Sequence, residues 1–334
     1  MSSINLENLT MPESTSYVCL FRNCYELESV KLPKNATIIH SLIFDGCYNL
    51  KNVDIPDTVT TIGFCAFQDC GIESITLPSS LTTIGEEAFG KCTNLESITI
   101  PDSVTIIDEG AFKGCTKLKN ITLSSSLTTI SKEAFCNCTE LKSIIIPDGV
   151  ISIRRKAFEN CTSLKSIKIP DSVKNIDSYA FDGCKKLKDI TIPNSVTLID
   201  MCVFENCESL ERIKLPKMVT KIRNRAFEGC RSLKNITLSD TVEAISDYAF
   251  SECKSLENLE IPYGVTDIGF MAFYNCKNLK NITIPTSLNY INSYAFSECE
   301  GLETVTIISD CTSKIIDVRE LDLDTMDQWI FLYF

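Results

Sequence analysis

The sequence repeats itself with a fixed period. A phenylalanine recurs every 23 residues, with one interval of 22 between Phe67 and Phe89, and a cysteine follows each phenylalanine three positions later. The phenylalanines are Phe21, Phe44, Phe67, Phe89, Phe112, Phe135, Phe158, Phe181, Phe204, Phe227, Phe250, Phe273 and Phe296. A period of roughly 20 to 50 residues is typical of arrays in which each repeat buries its apolar face against the next. We therefore expect one elongated array rather than several globular domains.

The first part of each repeat predicts a β-strand. In the segment "SITIP", Ile98 and Ile100 alternate with polar residues, which is the period of a strand with one buried face. Pro101 has no N–H with which to continue a sheet ladder, so the strand is expected to end there. Stacked repeats then place these strands side by side in a parallel sheet.

The second part of each repeat predicts a turn and a short helical segment. Val104, Ile107 and Ala111 are apolar at spacings of three and four, which suits one face of a helix. Strands lie about 4.8 Å apart whereas helices need about 8 to 10 Å, so the array should curve with its sheet on the inner side. The predicted fold is an α/β solenoid with a parallel β-sheet on the concave face and short helical segments on the opposite side.

The period also predicts where the solenoid ends. We assign residues 1–308 to the solenoid, as about 13 repeats preceded by a partial one whose strand half is "LENLTMP", Leu6 to Pro12. Residues 309–334 break the period, carry several carboxylates and contain the only tryptophan, Trp329. A terminal repeat exposes an apolar edge, so we expect this segment to be a C-terminal cap, with an apolar binding tail as the alternative.

The pattern L-x-x-I-x-I-P-x-x-V-x-x-I-x-x-x-A-F-x-x-C resembles the BspA-like class of leucine-rich repeats, which is found in surface proteins of bacteria and microbial eukaryotes. The resemblance covers thirteen repeats. It implies a right-handed solenoid and an interaction role, often adhesion to host matrix proteins or to other cells. The start of the chain, "MSSINLENLT", lacks the basic and apolar regions of a signal peptide, and no apolar run is long enough to span a membrane.

Thirteen of the eighteen cysteines share one position of the repeat. Cysteine is often buried as a small apolar side chain, so this column predicts packing, although neighbouring positions are close enough for disulfides to remain an alternative. Five cysteines lie outside the column, and we expect them to be exposed free thiols, which favours a reducing setting. They are Cys19, Cys65, Cys136, Cys202 and Cys311.

The sequence contains no catalytic or cofactor-binding constellation. His40 is the only histidine and stands at an unremarkable place in the second repeat, which does not indicate a Ser-His-Asp or Cys-His set. There is neither a C-x-x-C pair nor a phosphate-binding glycine loop. The net charge of −12 disfavours nucleic acid as a partner. We expect no enzymatic activity, no cofactor, no metal and no membrane insertion, and a protein as the partner. The oligomeric state is not determined by the sequence.

Two basic clusters precede the phenylalanine in two repeats. One is Arg154, Arg155 and Lys156, and the other is Lys221, Arg223 and Arg225. They are interpreted as solvated charges balanced by nearby acids, with a docking patch for an acidic partner as the alternative.

The exposed positions of the strands are the main candidates for partner binding. Most carry Ser, Thr or Asn, which form ladders that stabilise neighbouring strands. Six residues depart from this pattern and are our candidate contacts: Ile145, Lys168, Asp189, Arg212, Lys214 and Glu260.

Two functions follow from these observations. The family resemblance indicates a surface or adhesion protein, secreted or at the cell surface, that binds host or matrix proteins. The missing signal peptide and the many thiols indicate an intracellular, cytoplasmic scaffold as the alternative.

Overall fold

A computed structural model describes residues 2–8, 19–292 and 294–308, and the backbone of 313–317. The chain forms two compact units, Met1–Pro170 and Asp171–Phe334. Each is a parallel-strand solenoid, in which most repeats contribute one strand to a first row and a shorter strand to a second row. The rows follow from the repeat itself, because every repeat presents its alternating segment at the same place along the chain.

Apart from Ser3–Asn5, each strand of the first row begins two positions after the consensus leucine, at Ser, Asn, Asp, Arg or Thr. In the N-terminal unit its strands are Ser3–Asn5, Ser29–Lys31, Asn52–Asp54, Ser97–Thr99, Asn120–Thr122, Ser143–Ile145 and Ser166–Lys168. In the C-terminal unit they are Asp189–Thr191, Arg212–Lys214, Asn258–Glu260, Asn281–Pro285 and Thr304–Ile308, and Ser313–Asp317 pairs antiparallel with the last of these.

The second strand row ends in each repeat at the consensus isoleucine that precedes the turn. In the N-terminal unit its strands are Ile38–Ile39, Thr61–Ile62, Thr83–Ile84, Ile106–Ile107, Thr129–Ile130 and Ser152–Ile153. In the C-terminal unit they are Asn175–Ile176, Leu198–Ile199, Lys221–Ile222, Ala244–Ile245, Asp267–Ile268 and Tyr290–Ile291.

Strand register places identical repeat positions side by side. Ile98 pairs with Ile121 while Ser97 pairs with Asn120, so the isoleucines form one buried column and the polar residues one exposed column. A shift by one residue would turn every isoleucine to solvent, which is why the alternation fixes the register strongly. The prediction of a parallel sheet with one buried face is confirmed.

The predicted helical segments are wrong, because the described residues contain no helix. The stretch around each phenylalanine is a series of turns whose N–H groups bond alternately within the repeat and to the next repeat. The Phe112 N–H, for example, donates to the carbonyl of Ala134 in the next repeat over 3.0 Å, and the Lys113 N–H donates to Gly110 over 2.8 Å. An α-helix would direct all these donors into its own segment, which leaves none for the neighbouring repeat.

Two left-handed residues per repeat maintain this alternation. The residue two positions before the phenylalanine and the residue two positions after it have positive φ angles, as at Gly110 (61°) and Gly114 (73°). Left-handed residues interrupt a right-handed helix, and glycine or asparagine adopts this conformation at the least cost. The apolar spacing of three and four that predicts a helix is here produced by consecutive turns.

The core is built from columns that continue from repeat to repeat. Phe44, Phe67, Phe89 and Phe112 are fully buried and stack with ring centroids 5.4 to 5.5 Å apart. The C-terminal unit shows the same stack, with centroids 5.0 to 5.6 Å apart from Phe181 to Phe296. Consensus Leu, Ile, Val and Ala positions are buried beside this stack. Because each ring contacts one above and one below, the core grows with the number of repeats.

The partial first repeat has a different register from the one predicted. Its strand is Ser3–Asn5, which pairs with Ser29–Lys31 and places Leu6 beside Leu32 in a buried column. The predicted strand half therefore began too late, and residues 9–12 of it lie outside the described residues.

At the other end, Ser313–Asp317 adds an antiparallel strand against Thr304–Ile308. This pairing occupies one edge of the last parallel strand, and whether the segment is a cap or a binding tail stays a prediction. Trp329 and the rest of the predicted cap or tail, residues 309–312 and 318–334, lie outside the described residues.

The shortened repeat interrupts the first strand row. Around Ser74 only a single bridge to Ser97 forms where the neighbouring repeats have a strand. Gly71 occupies the site of the missing residue, and a Cβ there would lie 2.2 Å from the Tyr48 carbonyl oxygen. The deletion thus brings the two backbones into contact, and only glycine fits without displacing one of them.

Candidate functional site

The exposed positions of the first strand row form the candidate site, which we call the strand face. Each three-residue strand from Ser97–Thr99 onward has the burial pattern exposed, buried, exposed, so the first and third side chains reach solvent. All six sequence-predicted contact residues occupy such positions. Whether they bind a partner stays a prediction.

In the N-terminal unit the strand face carries Ile145 and Lys168. The two residues are register partners on neighbouring strands, which places their side chains next to each other. Ile145 is 81% exposed, although Thr occupies the same position in the repeat before it, Thr122. Folding does not account for an isoleucine here, because the side chain buries almost none of its surface.

In the C-terminal unit Asp189 and Arg212 form an ion pair across neighbouring strands. The Arg212 Nε donates to Asp189 Oδ1 over 2.6 Å, and both side chains remain largely exposed. This hydrogen bond lowers the pKa of Asp189 and raises the pKa of Arg212. Solvent screens such a pair, so its role in stability is small and its exposed charges stay available to a partner.

Lys214 and Glu260 complete the predicted set. Lys214 is opposite Thr191, and Glu260 is opposite Thr283. Both side chains are exposed, and among the described residues neither forms an ion pair. Each is therefore accessible to a partner of opposite charge.

The basic clusters that precede the phenylalanines are largely neutralised within the chain. Lys156 pairs with Glu159 over 3.0 Å in the N-terminal unit. In the C-terminal unit Arg223 lies 3.4 Å from Asp200, and Arg225 is 3.0 Å from Glu228. These contacts support the interpretation as charges balanced by nearby acids.

Sequence reasoning missed an aromatic strip in the C-terminal unit. The Arg225 guanidinium lies 4.8 Å from the Tyr248 ring centroid, Tyr248 meets Phe270 edge-on at 5.5 Å, and Phe270 meets Tyr294 at 6.0 Å. Tyr294 is 44% exposed. Tyr and Arg are favoured at protein interfaces. The signal is visible in the sequence, since these residues stand two or three positions before successive phenylalanines.

The cysteine column has a polar role that the sequence did not reveal. Column thiols donate to the carbonyl of the phenylalanine in the preceding repeat, as Cys70 Sγ does to Phe44 and Cys115 Sγ does to Phe89, each over 3.1 Å. The Phe89 carbonyl also accepts the Cys92 N–H over 3.2 Å. All described cysteines are free, and burial raises the pKa of the Cys92 thiol to about 12. The prediction of a buried packing column is confirmed for Cys47 through Cys299.

The prediction for the cysteines outside the column is mostly wrong. Cys65, Cys136 and Cys202 are buried, and burial raises the pKa of each thiol to about 12. They occupy positions flanking the phenylalanine where many repeats have Glu, Tyr or Lys, and a short side chain there stays beneath its longer neighbours. Cys19 is exposed as predicted, and Cys311 lies outside the described residues.

Neither a metal site nor a membrane span is found in the described ranges. No group of three or more His, Cys, Asp or Glu side chains there could hold a metal ion. No helix of the length and hydropathy needed to cross a bilayer occurs there either.

Comparison with solved structures identifies similar bacterial proteins. A leucine-rich repeat protein from Bacteroides ovatus is 31% identical, with a TM-score of 0.74 over 91% of this chain and 86% of that one. A leucine rich cell surface protein from Faecalibacterium prausnitzii is 28% identical, with a TM-score of 0.52 over 92% and 83% of the two chains. A leucine-rich repeat protein from Eubacterium ventriosum shares the fold at 24% identity, with a TM-score of 0.60 over 83% and 78%.

Comparison of the sequence with family models also indicates a leucine-rich repeat protein. No curated protein matches the chain. The model of the "BspA type Leucine rich repeat region (6 copies)" matches residues 17–142, 87–211, 128–245 and 199–315. These matches overlap and cover most of the chain. The chain therefore belongs to the BspA-type leucine-rich repeat family.

Proposed function

We propose that the chain is a non-enzymatic protein-interaction module that binds a host or matrix protein through its strand face and works at a cell surface. One observation carries the proposal: the consensus apolar residues are buried, whereas the residues that depart from the Ser, Thr and Asn pattern on the strands are exposed. A departure that contributes nothing to the core is free to serve recognition. The six candidates are Ile145, Lys168, Asp189, Arg212, Lys214 and Glu260.

The family supports the cell-surface part of this proposal. BspA-like repeats resemble those of surface proteins, and the similar Faecalibacterium protein is described as a cell surface protein. Surface labelling of intact cells with a membrane-impermeant reagent tests the location, with a cytoplasmic enzyme as the negative control. Labelling of the chain on intact cells supports the proposal, and labelling only after lysis contradicts it.

Binding itself is tested with strand-face variants. Purified chain is measured by biolayer interferometry against a panel of extracellular matrix proteins. One variant replaces the candidate residues of the N-terminal unit with the residue that neighbouring repeats carry there, Ile145→Thr with Lys168→Thr. A second variant makes the same kind of change in the C-terminal unit, Arg212→Asn with Lys214→Thr. We expect at least one of them to weaken binding about tenfold, which is about 1.4 kcal/mol, with an unchanged melting temperature.

A matched control removes two exposed lysines outside the strand face, Lys117→Ser with Lys186→Ser. This control should bind like the wild type. Unchanged affinity in both strand-face variants would place the partner elsewhere on the surface, where the aromatic strip with Arg225 and Tyr248 is next to be tested.

The intracellular scaffold is the second candidate because all described cysteines are free. A chain with so many thiols is compatible with a reducing compartment, where disulfides do not persist. Recovery of the chain only in the soluble fraction of lysed cells would favour this function over adhesion.

A further inference from the structure

A row of like charges flanks one part of the strand face in the N-terminal unit. At the position just before each strand, Lys and Glu commonly occupy neighbouring repeats and pair, as Lys51 does with Glu73 over 3.2 Å. Four consecutive repeats instead carry a lysine, namely Lys119, Lys142 and Lys165 in the N-terminal unit and Lys188 in the C-terminal unit. Lys119 pairs with Glu96 over 3.1 Å, and Lys188 lies 3.7 Å from Glu211. Lys142 and Lys165 have a lysine, not a carboxylate, at the same position of the preceding repeat.

Lys168 extends this row into a patch. It lies three residues beyond Lys165 on the same chain segment, about 10 Å away in an extended backbone. Lys142, Lys165 and Lys168 are all exposed, and within the described part of the chain none of them forms an ion pair. The strand positions of these repeats, from Ser143 to Ile145 and from Ser166 to Lys168, carry no carboxylate. We call these three lysines together with Ile145 the lysine patch.

Like charges on neighbouring strands destabilise a sheet, so the row is unfavourable in the free protein. Strands lie about 4.8 Å apart, which is well within the Debye length of about 8 Å at physiological ionic strength. A glutamate in one repeat would relieve this repulsion, as Glu73 and Glu96 do beside other lysines of the column. An anionic partner would relieve it as well.

Ile145 decides between the classes of anionic partner. Its side chain is 81% exposed and stands beside Lys168, so a partner that neutralises the lysines also covers an aliphatic group. A phosphate backbone supplies charge but no apolar contact at such a site. A polypeptide can supply carboxylates and an apolar side chain in adjacent positions.

We propose that the lysine patch binds an acidic segment of a protein partner that carries an apolar residue among its carboxylates. This rests on the proposed function, because it assigns a partner chemistry to one part of the strand face. The lysines attract the carboxylates of the segment, and Ile145 gives the patch a preference for an apolar residue among them. The chain's net charge of −12 disfavours acidic partners on the rest of the surface. The lysine patch is a local exception to this negative charge.

The test uses a fluorescein-labelled peptide in which glutamates flank a central leucine, and fluorescence anisotropy with the full chain. Two further probes are the same peptide with serine in place of leucine and a single-stranded oligothymidylate of equal charge. We expect the leucine peptide to bind more tightly than either, with an affinity that falls as salt is raised.

Variants of the lysine patch show where on the chain the peptide binds. Lys142→Ser, Lys165→Ser and Lys168→Thr together should weaken the leucine peptide at least about tenfold. Ile145→Thr should weaken it several-fold while leaving the serine peptide unchanged. The matched control, Lys186→Ser with Lys234→Ser and Lys280→Ser, removes the same charge from exposed positions in the C-terminal unit and should change binding less than about twofold.

Each other outcome overturns the proposal in a recognisable way. Equal losses in the patch and control variants mean that total charge, not the patch, attracts the peptide. Oligothymidylate binding as tightly as the peptide, with no effect of Ile145→Thr, indicates a nucleic acid instead. If no peptide binds while the Ile145 and Lys168 variant still loses a matrix protein, only the partner chemistry proposed here is wrong. If no peptide binds and the Ile145 and Lys168 variant binds the matrix protein like the wild type, the strand-face proposal is wrong for the N-terminal unit as well.

Discussion

Removing one ring from the phenylalanine stack tests whether the stack carries the stability of the solenoid. The Phe112 ring is fully buried between those of Phe89 and Phe135, with centroids 5.5 and 5.7 Å away. Phe→Ala in a packed core costs about 3 to 5 kcal/mol. Aromatic neighbours on both sides leave little freedom for the cavity to collapse, so we expect Phe112→Ala to lower the free energy of unfolding by about 4 kcal/mol.

Two further variants serve as controls for the effect of Phe112→Ala on stability. Phe21 begins the described stack, is only half-buried and stacks on Phe44 alone at 5.6 Å, so Phe21→Ala should cost about half as much. Thr99 is exposed on the strand face, and Thr99→Ala should change stability by less than about 0.5 kcal/mol.

The measurement is urea unfolding followed by far-UV circular dichroism, with the midpoint and the slope fitted for each variant. A repeat array can lose its ends before its centre, so the slopes must agree before the midpoints are compared. Equal shifts for the Phe112 and Phe21 variants, or a shift below about 1 kcal/mol for Phe112, would refute the view that the stack is the main stabilising column.

Three further predictions concern the cysteine column and the shortened repeat. Cys115→Ala should lower the free energy of unfolding, measured in urea, by about 1 kcal/mol, because the Phe89 carbonyl loses the thiol but keeps the Cys92 N–H as a donor. A decrease above about 3 kcal/mol would contradict this. Buried thiols with raised pKa values, such as Cys92 at about 12, stay protonated in the folded chain while the unfolded chain loses these protons from about pH 8.5 upward. The melting temperature should therefore fall between about pH 9 and 11, and a constant value would show that the thiols are not buried in the folded state. Gly71→Ala should destabilise the chain by about 1 to 3 kcal/mol, because its Cβ meets the Tyr48 carbonyl oxygen, whereas an unchanged midpoint would show that the backbones can separate freely.

The strands and the core could be predicted from sequence because each has a period that only one structure satisfies. Alternation of Ile98 and Ile100 with polar residues fits a strand, and the buried column of Ile98 and Ile121 confirms it. The turns could not be predicted in the same way. Apolar spacings of three and four occur both in helices and in consecutive turns, so the period does not separate them.

A second signal would have separated turns from a helix. The residue two positions after each phenylalanine is Asn, Gly or Asp in most repeats, and it is left-handed throughout the described stack. These residue types adopt positive φ more readily than others. The residue two positions before the phenylalanine gives no such signal, because Leu42, Tyr179 and Met271 adopt positive φ there as well. Hydrogen bonds to the next repeat hold these residues in place, and such bonds are not visible in a single repeat.

The candidate site was harder to predict than the fold for a related reason. The sequence shows which strand positions depart from Ser and Thr, but it does not show which charges the chain neutralises itself. Arg212 is paired with Asp189, whereas Lys168 forms no ion pair in the described part of the chain. The two residues look equivalent in the sequence, and only their neighbours on adjacent strands distinguish them.

The repeat separates stability from recognition, and this explains why exposed departures can accumulate. Register is fixed by the buried side of each strand, where a shift by one residue would expose every isoleucine. A side chain on the exposed side can therefore change from Thr to Ile, as between Thr122 and Ile145, without altering the register or the core. An unfavourable row of lysines is tolerated for the same reason, since its repulsion is small beside the burial that each repeat gains. Recognition can thus be assembled from single substitutions on consecutive strands, while the phenylalanine and isoleucine columns keep those substitutions at a constant spacing.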